Sequence, residues 1–135
     1  MESSILAKFT EIQSNPNASR VVLPVIFDIF TKWSLSMSSQ LILLGLSEEK
    51  ALRDCRETPE EVELSLDLIE RVSLILGIFK SLQVLMSVPH LADAWLKTPN
   101  DGPVFNGAPP KSHLLSGEIA DLAAVRNFLS YQEDK

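Results

Sequence analysis

The sequence predicts an all-α protein: a compact helical bundle with an N-terminal degenerate helix-turn-helix region and a C-terminal helical domain. Three observations carry that expectation. Apolar residues recur at helical spacing along most of the chain. Helix-start and helix-stop residues punctuate it at short intervals. Runs with strand alternation are weak. The chain has 135 residues, 45% of them apolar, enough for one core.

The elements follow in order. Residues 3–13 place Ile5, Phe9 and Ile12 on one face, with Leu6 beside them. Ser14-Asn15-Pro16-Asn17-Ala18-Ser19 is polar and turn-rich, and reads as a linker that closes an N-terminal arm over 1–18. A second helix is expected over Arg20 to Lys32, with Val25, Ile26, Ile29, Phe30 and Trp33 forming its stripe. Pro24 fits best near its start, because proline is comfortable only in a first turn. A short helix over Ser38 to Leu44 ends at Gly45. Ser47 is placed to cap the next one, which runs through Arg56.

Thr58-Pro59-Glu60-Glu61 reads as a helix start, with Thr58 as N-cap, Pro59 in the first turn and Glu61 completing a capping box. The helix it opens is expected to reach about Ser87. Val62, Leu66, Ile69, Val72, Leu76 and Phe79 fall on one side of it, and Leu64, Leu68, Ile75, Ile78 and Leu82 on a neighbouring side. So wide an apolar face suits a central helix packed by several others. Gly77 lies inside it at a cost of about 1 kcal/mol relative to alanine, which close approach of another helix would explain. Pro89 stops this helix and opens another over His90 to Lys97. Pro99 ends that one. Asn100 to Pro103 reads as a turn, and Pro109-Pro110 starts a short helix ending at Gly117. The last helix spans Glu118 to Tyr131, with Ile119, Leu122, Val125 and Leu129 facing inward. A polar tail follows.

Charge narrows the function. The net charge is −6; residues 1–57 carry six basic and seven acidic side chains, and residues 58–135 six and eleven. Little positive charge is spare for phosphate neutralisation; the acidic C-terminal half reads first as a solvated face and second as a surface suited to a basic partner. The single cysteine, Cys55, forms no intramolecular disulfide. No apolar run reaches the ~18 residues that span a bilayer. No secretion signal is recognised at the N-terminus. The expectation is a soluble cytoplasmic protein without a membrane partner.

Catalysis is not expected. His90 and His113 have no ligand-spaced His or Cys and read as surface residues. Nothing local activates Cys55. No G-x-S-x-G elbow occurs, and the scattered glycines form no phosphate loop. Glu60, Glu61 and Glu63 suit helix-start electrostatics. No enzyme activity, cofactor or metal is anticipated. The segment 38–56 does have helix-turn-helix proportions. Ser38, Gln40, Lys50, Arg53 and Arg56 are its candidate DNA contacts, although Glu48 and Glu49 would stand where such helices reach base edges; a helical hairpin that only packs is the equal alternative.

A longer pattern carries more. It runs from Glu70-Arg71 through Leu76-Gly77-Ile78-Phe79 and Leu82, then Ala94-Trp95-Leu96 and Pro99-Asn100. It continues through Phe105-Asn106-Gly107, Pro109-Pro110, Leu114-Leu115-Ser116-Gly117, Leu122 and Val125-Arg126-Asn127-Phe128-Leu129. In order and spacing this resembles the toxin-binding domain of the Xre/MbcA/ParS antitoxin family. Trp33-Ser34-Leu35-Ser36 and Leu43-Leu44-Gly45-Leu46-Ser47 resemble the family's helix-turn-helix region. The following helix departs from the family pattern, with Lys50 and Arg53-Asp54 where a Thr and an Arg-Trp pair often stand.

The resemblance implies a division into an Xre-like region over 19–57 and a toxin-binding domain over 58–135, built on a shared core. It implies an antitoxin of a type II toxin–antitoxin pair, whose cognate RES-domain toxin acts on NAD and whose active site the antitoxin occludes. It further implies a homodimer, a toxin–antitoxin hetero-oligomer and operator DNA as a further partner. Trp95, Lys97, Pro99, Asn100, Phe105, Asn106, Arg126, Tyr131, Gln132 and Lys135 are the corresponding toxin-binding residues. For the rings of Trp95 and Phe105, pinning the 98–110 loop to the core is the favoured local role. A DNA-binding regulator and a non-catalytic adaptor using the same helical domain are the alternatives.

Overall fold

The computed structural model describes residues 16–134. The helix expected over 3–13, the arm before Pro16, and Lys135 lie outside the described residues. Within them the chain forms seven α-helices: α1 Pro16–Lys32, α2 Met37–Leu44, α3 Glu49–Glu57, α4 Leu66–Leu85, α5 Pro89–Lys97, α6 Pro110–Leu114 and α7 Ile119–Glu133. A single 3₁₀ turn, Pro59–Glu61, stands between α3 and α4. No strand occurs among the described residues.

Four expectations are corrected. The stretch read as a linker at 14–19 is helical from Pro16 onward, and Pro24 lies in the interior of α1. Proline at a first helical position costs little. Leu23, Ile26, Ile29 and Phe30 are each at most 2% exposed, and their burial holds the helix through Pro24. Ser47 does not cap α3; the residue before that helix is Glu48, which makes no side-chain cap.

The long helix starts at Leu66, not after Thr58. Ser65 is its N-cap, accepting from the Leu68 N–H at 3.1 Å. The Thr58 hydroxyl instead donates to the Asp54 carbonyl at 3.2 Å, closing α3. Residues 62–65 then run extended, turning Leu64 into the core at 4% exposure. Leu66, assigned to the inward face by assuming unbroken helix from Thr58, opens α4 at 60% exposure.

One core joins both halves of the chain. Ile26 and Phe30 of α1, Trp33 just after it, Leu43 of α2 and Leu52 of α3 share a single cluster with Ile75 and Ile78 of α4 and Leu122, Val125 and Leu129 of α7. Three contacts set the direction of α7 on α4. The Arg71 Nη2 donates to the Gly117 carbonyl at 2.9 Å, Arg126 crosses Gly77, and the Ser81 hydroxyl donates to Glu133 Oε2 at 2.9 Å. Residue numbers rise together along both helices, so they run parallel. A parallel pair needs a long return, which α5, the 98–109 loop and α6 supply.

Gly77 is explained as expected. A Cβ there would overlap Nε and Cδ of Arg126, whose side chain lies across the glycine. The Arg126 Nη1 goes on to donate to the Ser81 hydroxyl at 3.3 Å. Arg71 ties the halves together from α4. Its Nε donates to Asp67 at 3.0 Å and its Nη1 to the Ile42 carbonyl at 3.3 Å, while its Nη2 reaches Gly117. Main-chain carbonyls near the end of α2 and before α7 thus gain charged donors, the stronger kind of hydrogen bond.

Candidate interaction surfaces

The 98–109 loop is built from proline stops and main-chain bonds. Thr98 ends α5, its N–H reaching only the Trp95 carbonyl. The Asn100 N–H donates to the Ala108 carbonyl at 3.2 Å, and Gly107 N–H returns to the Asn100 carbonyl at 2.7 Å. Asn100 Oδ1 accepts from Gly102 N–H at 2.8 Å. Asn106 at φ 51° and Gly107 at φ 88° make the reversal; asparagine and glycine tolerate the left-handed region best.

An aromatic cluster supports this loop from beneath. Phe105 is 2% exposed. Its ring meets Trp95 edge-on at 5.8 Å, Phe128 at 5.2 Å and His113 at 5.1 Å. Trp95 stacks on Phe128 at 6.2 Å. The favoured local role of the two rings, pinning the loop, is what the geometry displays. His113 is a correction: it is half-buried rather than a surface residue, and its Nε2 hydrogen-bonds the Val104 carbonyl at 3.1 Å.

The predicted toxin-binding residues therefore separate into two sets. Phe105 is buried, Arg126 is partly buried across Gly77, and Asn100 uses its main chain and Oδ1 within the loop. Lys97, Pro99 and Asn106 are exposed, with Lys97 paired to Asp93 at 3.1 Å. Tyr131 is 63% exposed near the end of α7. Trp95 and Gln132 come together with Leu85, Met86, Phe128 and Leu129 around an open groove of about 300 Å³.

The groove marks an apolar end of the molecule that the sequence reading missed. Val84, Leu85, Val88 and Leu91 are between 37% and 61% exposed there. The apolar run from Val84 to Leu91 was the available signal, and it lies beyond the residues placed on the faces of the central helix.

The α2–α3 hairpin has the expected order of helix, Gly45 turn at φ 66° and helix. Its candidate DNA contacts are mostly engaged internally. Gln40 Nε2 donates to the Leu35 carbonyl at 3.0 Å, and Arg56 Nη2 donates to Gln40 Oε1 at 2.7 Å. The Arg56 guanidinium also lies 4.8 Å from the Phe27 ring centre. Lys50 pairs with Asp54 at 3.0 Å, and the Ser38 hydroxyl lies 3.1 Å from that of Ser36. Arg53 is exposed and forms no ion pair among the described residues.

Cys55 is 3% exposed, and burial together with the neighbouring Asp54 carboxylate pushes its thiol pKa up. That favours the neutral, unreactive thiol. Among the described residues no three His, Cys, Asp or Glu side chains are grouped to hold a metal ion, and no single helix is long and apolar enough to cross a membrane.

These features define an all-α protein with one shared core, a braced loop and an open apolar end. The chain belongs to the same family as protein y4oB of Sinorhizobium fredii, an uncharacterized protein. The two are 32% identical over 123 residues, covering 88% of this chain and 92% of that one. No family model matches the chain, and no solved structure matches it.

Proposed function

We propose that this protein is the antitoxin of a type II pair, binding a RES-type, NAD-targeting toxin and covering its active site. The sequence pattern from Glu70 to Leu129 motivates the reading. The observation that carries it in three dimensions is the apolar groove between Leu85 and Gln132. It opens beside the last turn of α7, which stays helical to Glu133 where a polar tail was expected, and the resemblance assigns the segment from Tyr131 onward to the toxin's active site. Braced loops and exposed apolar anchors lower the ordering cost of protein association. Homodimerisation and assembly into a toxin–antitoxin hetero-oligomer, in the cytoplasm and without cofactor or catalysis, belong to the same proposal. Operator binding by the α2–α3 hairpin has less support, since Gln40, Lys50 and Arg56 are already engaged within the protein.

The test is co-purification with the product of the adjacent gene, paired with an NAD-consumption assay on that product alone and in complex. A stable complex with suppressed NAD loss is expected. No complex, or a complex with full activity, would overturn the reading and leave the regulator or adaptor. Deleting Gln132 to Lys135 is expected to weaken neutralisation more than binding. Equal losses would reduce the tail to contact area.

A further inference from the structure

The molecule has a second concavity that shares no residue with the groove. A cleft of about 450 Å³ lies where α3, the 58–65 connection and the start of α4 meet. Ligand sites commonly fall at about 300–1,000 Å³. Its floor is apolar: Leu44, Cys55 and Leu68 are each at most 5% exposed, and Leu46, Ala51 and Val62 line the walls. Its rim is acidic. Asp54, Glu61, Glu63 and Asp67 surround it, with Lys50 the one basic side chain in the lining.

The rim charges are unequally satisfied. Asp54 is paired with Lys50 and Asp67 with Arg71, both at 3.0 Å. Glu61 and Glu63 are exposed and form no ion pair among the described residues. The cleft exists only because the chain leaves helical geometry after Glu57 and does not resume it until Leu66. Helix running straight on from Thr58 would remove the extended wall. Along that wall, the N–H group of Glu63 has no main-chain partner among the described residues. Open main-chain groups beside an apolar pocket are what an extended peptide uses for binding.

We propose that this cleft docks an extended basic segment of a partner protein. An apolar side chain seats over Leu44 and Leu68, and flanking Lys or Arg residues meet Glu61 and Glu63. The charge pattern selects the occupant: phosphate backbones and acidic peptides would face carboxylates, while a basic segment completes the rim. The inference does not rest on the antitoxin reading.

Fluorescence anisotropy tests it, using a short labelled peptide with a central leucine flanked by arginines and a lysine. The control peptide carries glutamates at the basic positions. The basic peptide is expected to bind saturably, more weakly as salt rises, and the control not at all. Glu61→Lys with Glu63→Lys is expected to weaken binding by about tenfold or more. Ala51→Trp, which fills the cleft, should do the same. Both charge substitutions are exposed, so that variant keeps the test decisive if the tryptophan variant fails to fold. Equal binding of the two peptides, no saturable binding, or full affinity in the charge variant would each overturn the proposal.

Discussion

The α2–α3 hairpin and the 98–109 loop both contain the residue types that recognition surfaces favour, and both commit some of those residues to contacts within the protein. In the hairpin, Arg56 and Gln40 brace α3 against α2 and the Phe27 ring. In the loop, Phe105 and His113 become the floor. The regions differ in what this leaves outside. The hairpin keeps a charged surface with few spare cations. The loop and the neighbouring ends of α4 and α7 keep exposed apolar side chains and a groove. Conspicuous residues in a sequence can thus be scaffolding, and the surface open to a partner is set by what the scaffolding leaves uncovered.

The sharpest way to break the comparison is Phe105→Ala. Emptying the centre of the aromatic cluster is expected to cost about 3–5 kcal/mol in urea unfolding. A loss below one kcal/mol, roughly, would mean the loop stands without its floor. Arg71→Ala comes next, because two carbonyls and Asp67 lose a charged donor together. About 2–3 kcal/mol is expected, read by the same measurement. An unchanged midpoint would show that the hairpin and the C-terminal half do not depend on this tie.

Gly77→Val is expected to lower stability by about 1–2 kcal/mol through crowding Arg126. Adding Arg126→Ala should make the valine cheaper, and a strictly additive double variant would refute the contact. Arg56→Ala should have the smallest effect, about 1 kcal/mol from the Phe27 and Gln40 contacts. If thermal unfolding is unchanged while operator binding is lost, Arg56 belongs to recognition and the hairpin reading must be reversed.

Much of the fold was legible. Gly45, Pro89, Pro99 and the Pro109-Pro110 pair stopped or opened helices where expected, because each acts through its own backbone. Gly77 announced a close neighbour for the same local reason. The 58–65 segment was misread because its Thr-Pro-Glu-Glu pattern is a good helix start considered alone. Burial of Leu64 and the cap at Ser65 outweighed it, and neither is visible until the remainder of the core is in place. Of the candidate site, the loop's stiffness was readable from its prolines. The burial of Phe105 and the internal contacts of Arg126 and Arg56 were not, since they depend on partners distant in the chain.

By itself, then, the sequence determined the helical class, most helix ends and the acidic balance, all of which follow from local backbone preference and composition. The tertiary structure alone decided which apolar and charged side chains were consumed. Burial is settled by long-range packing, and that packing left one end of the α4–α7 pair apolar and opened an acidic cleft at the start of α4.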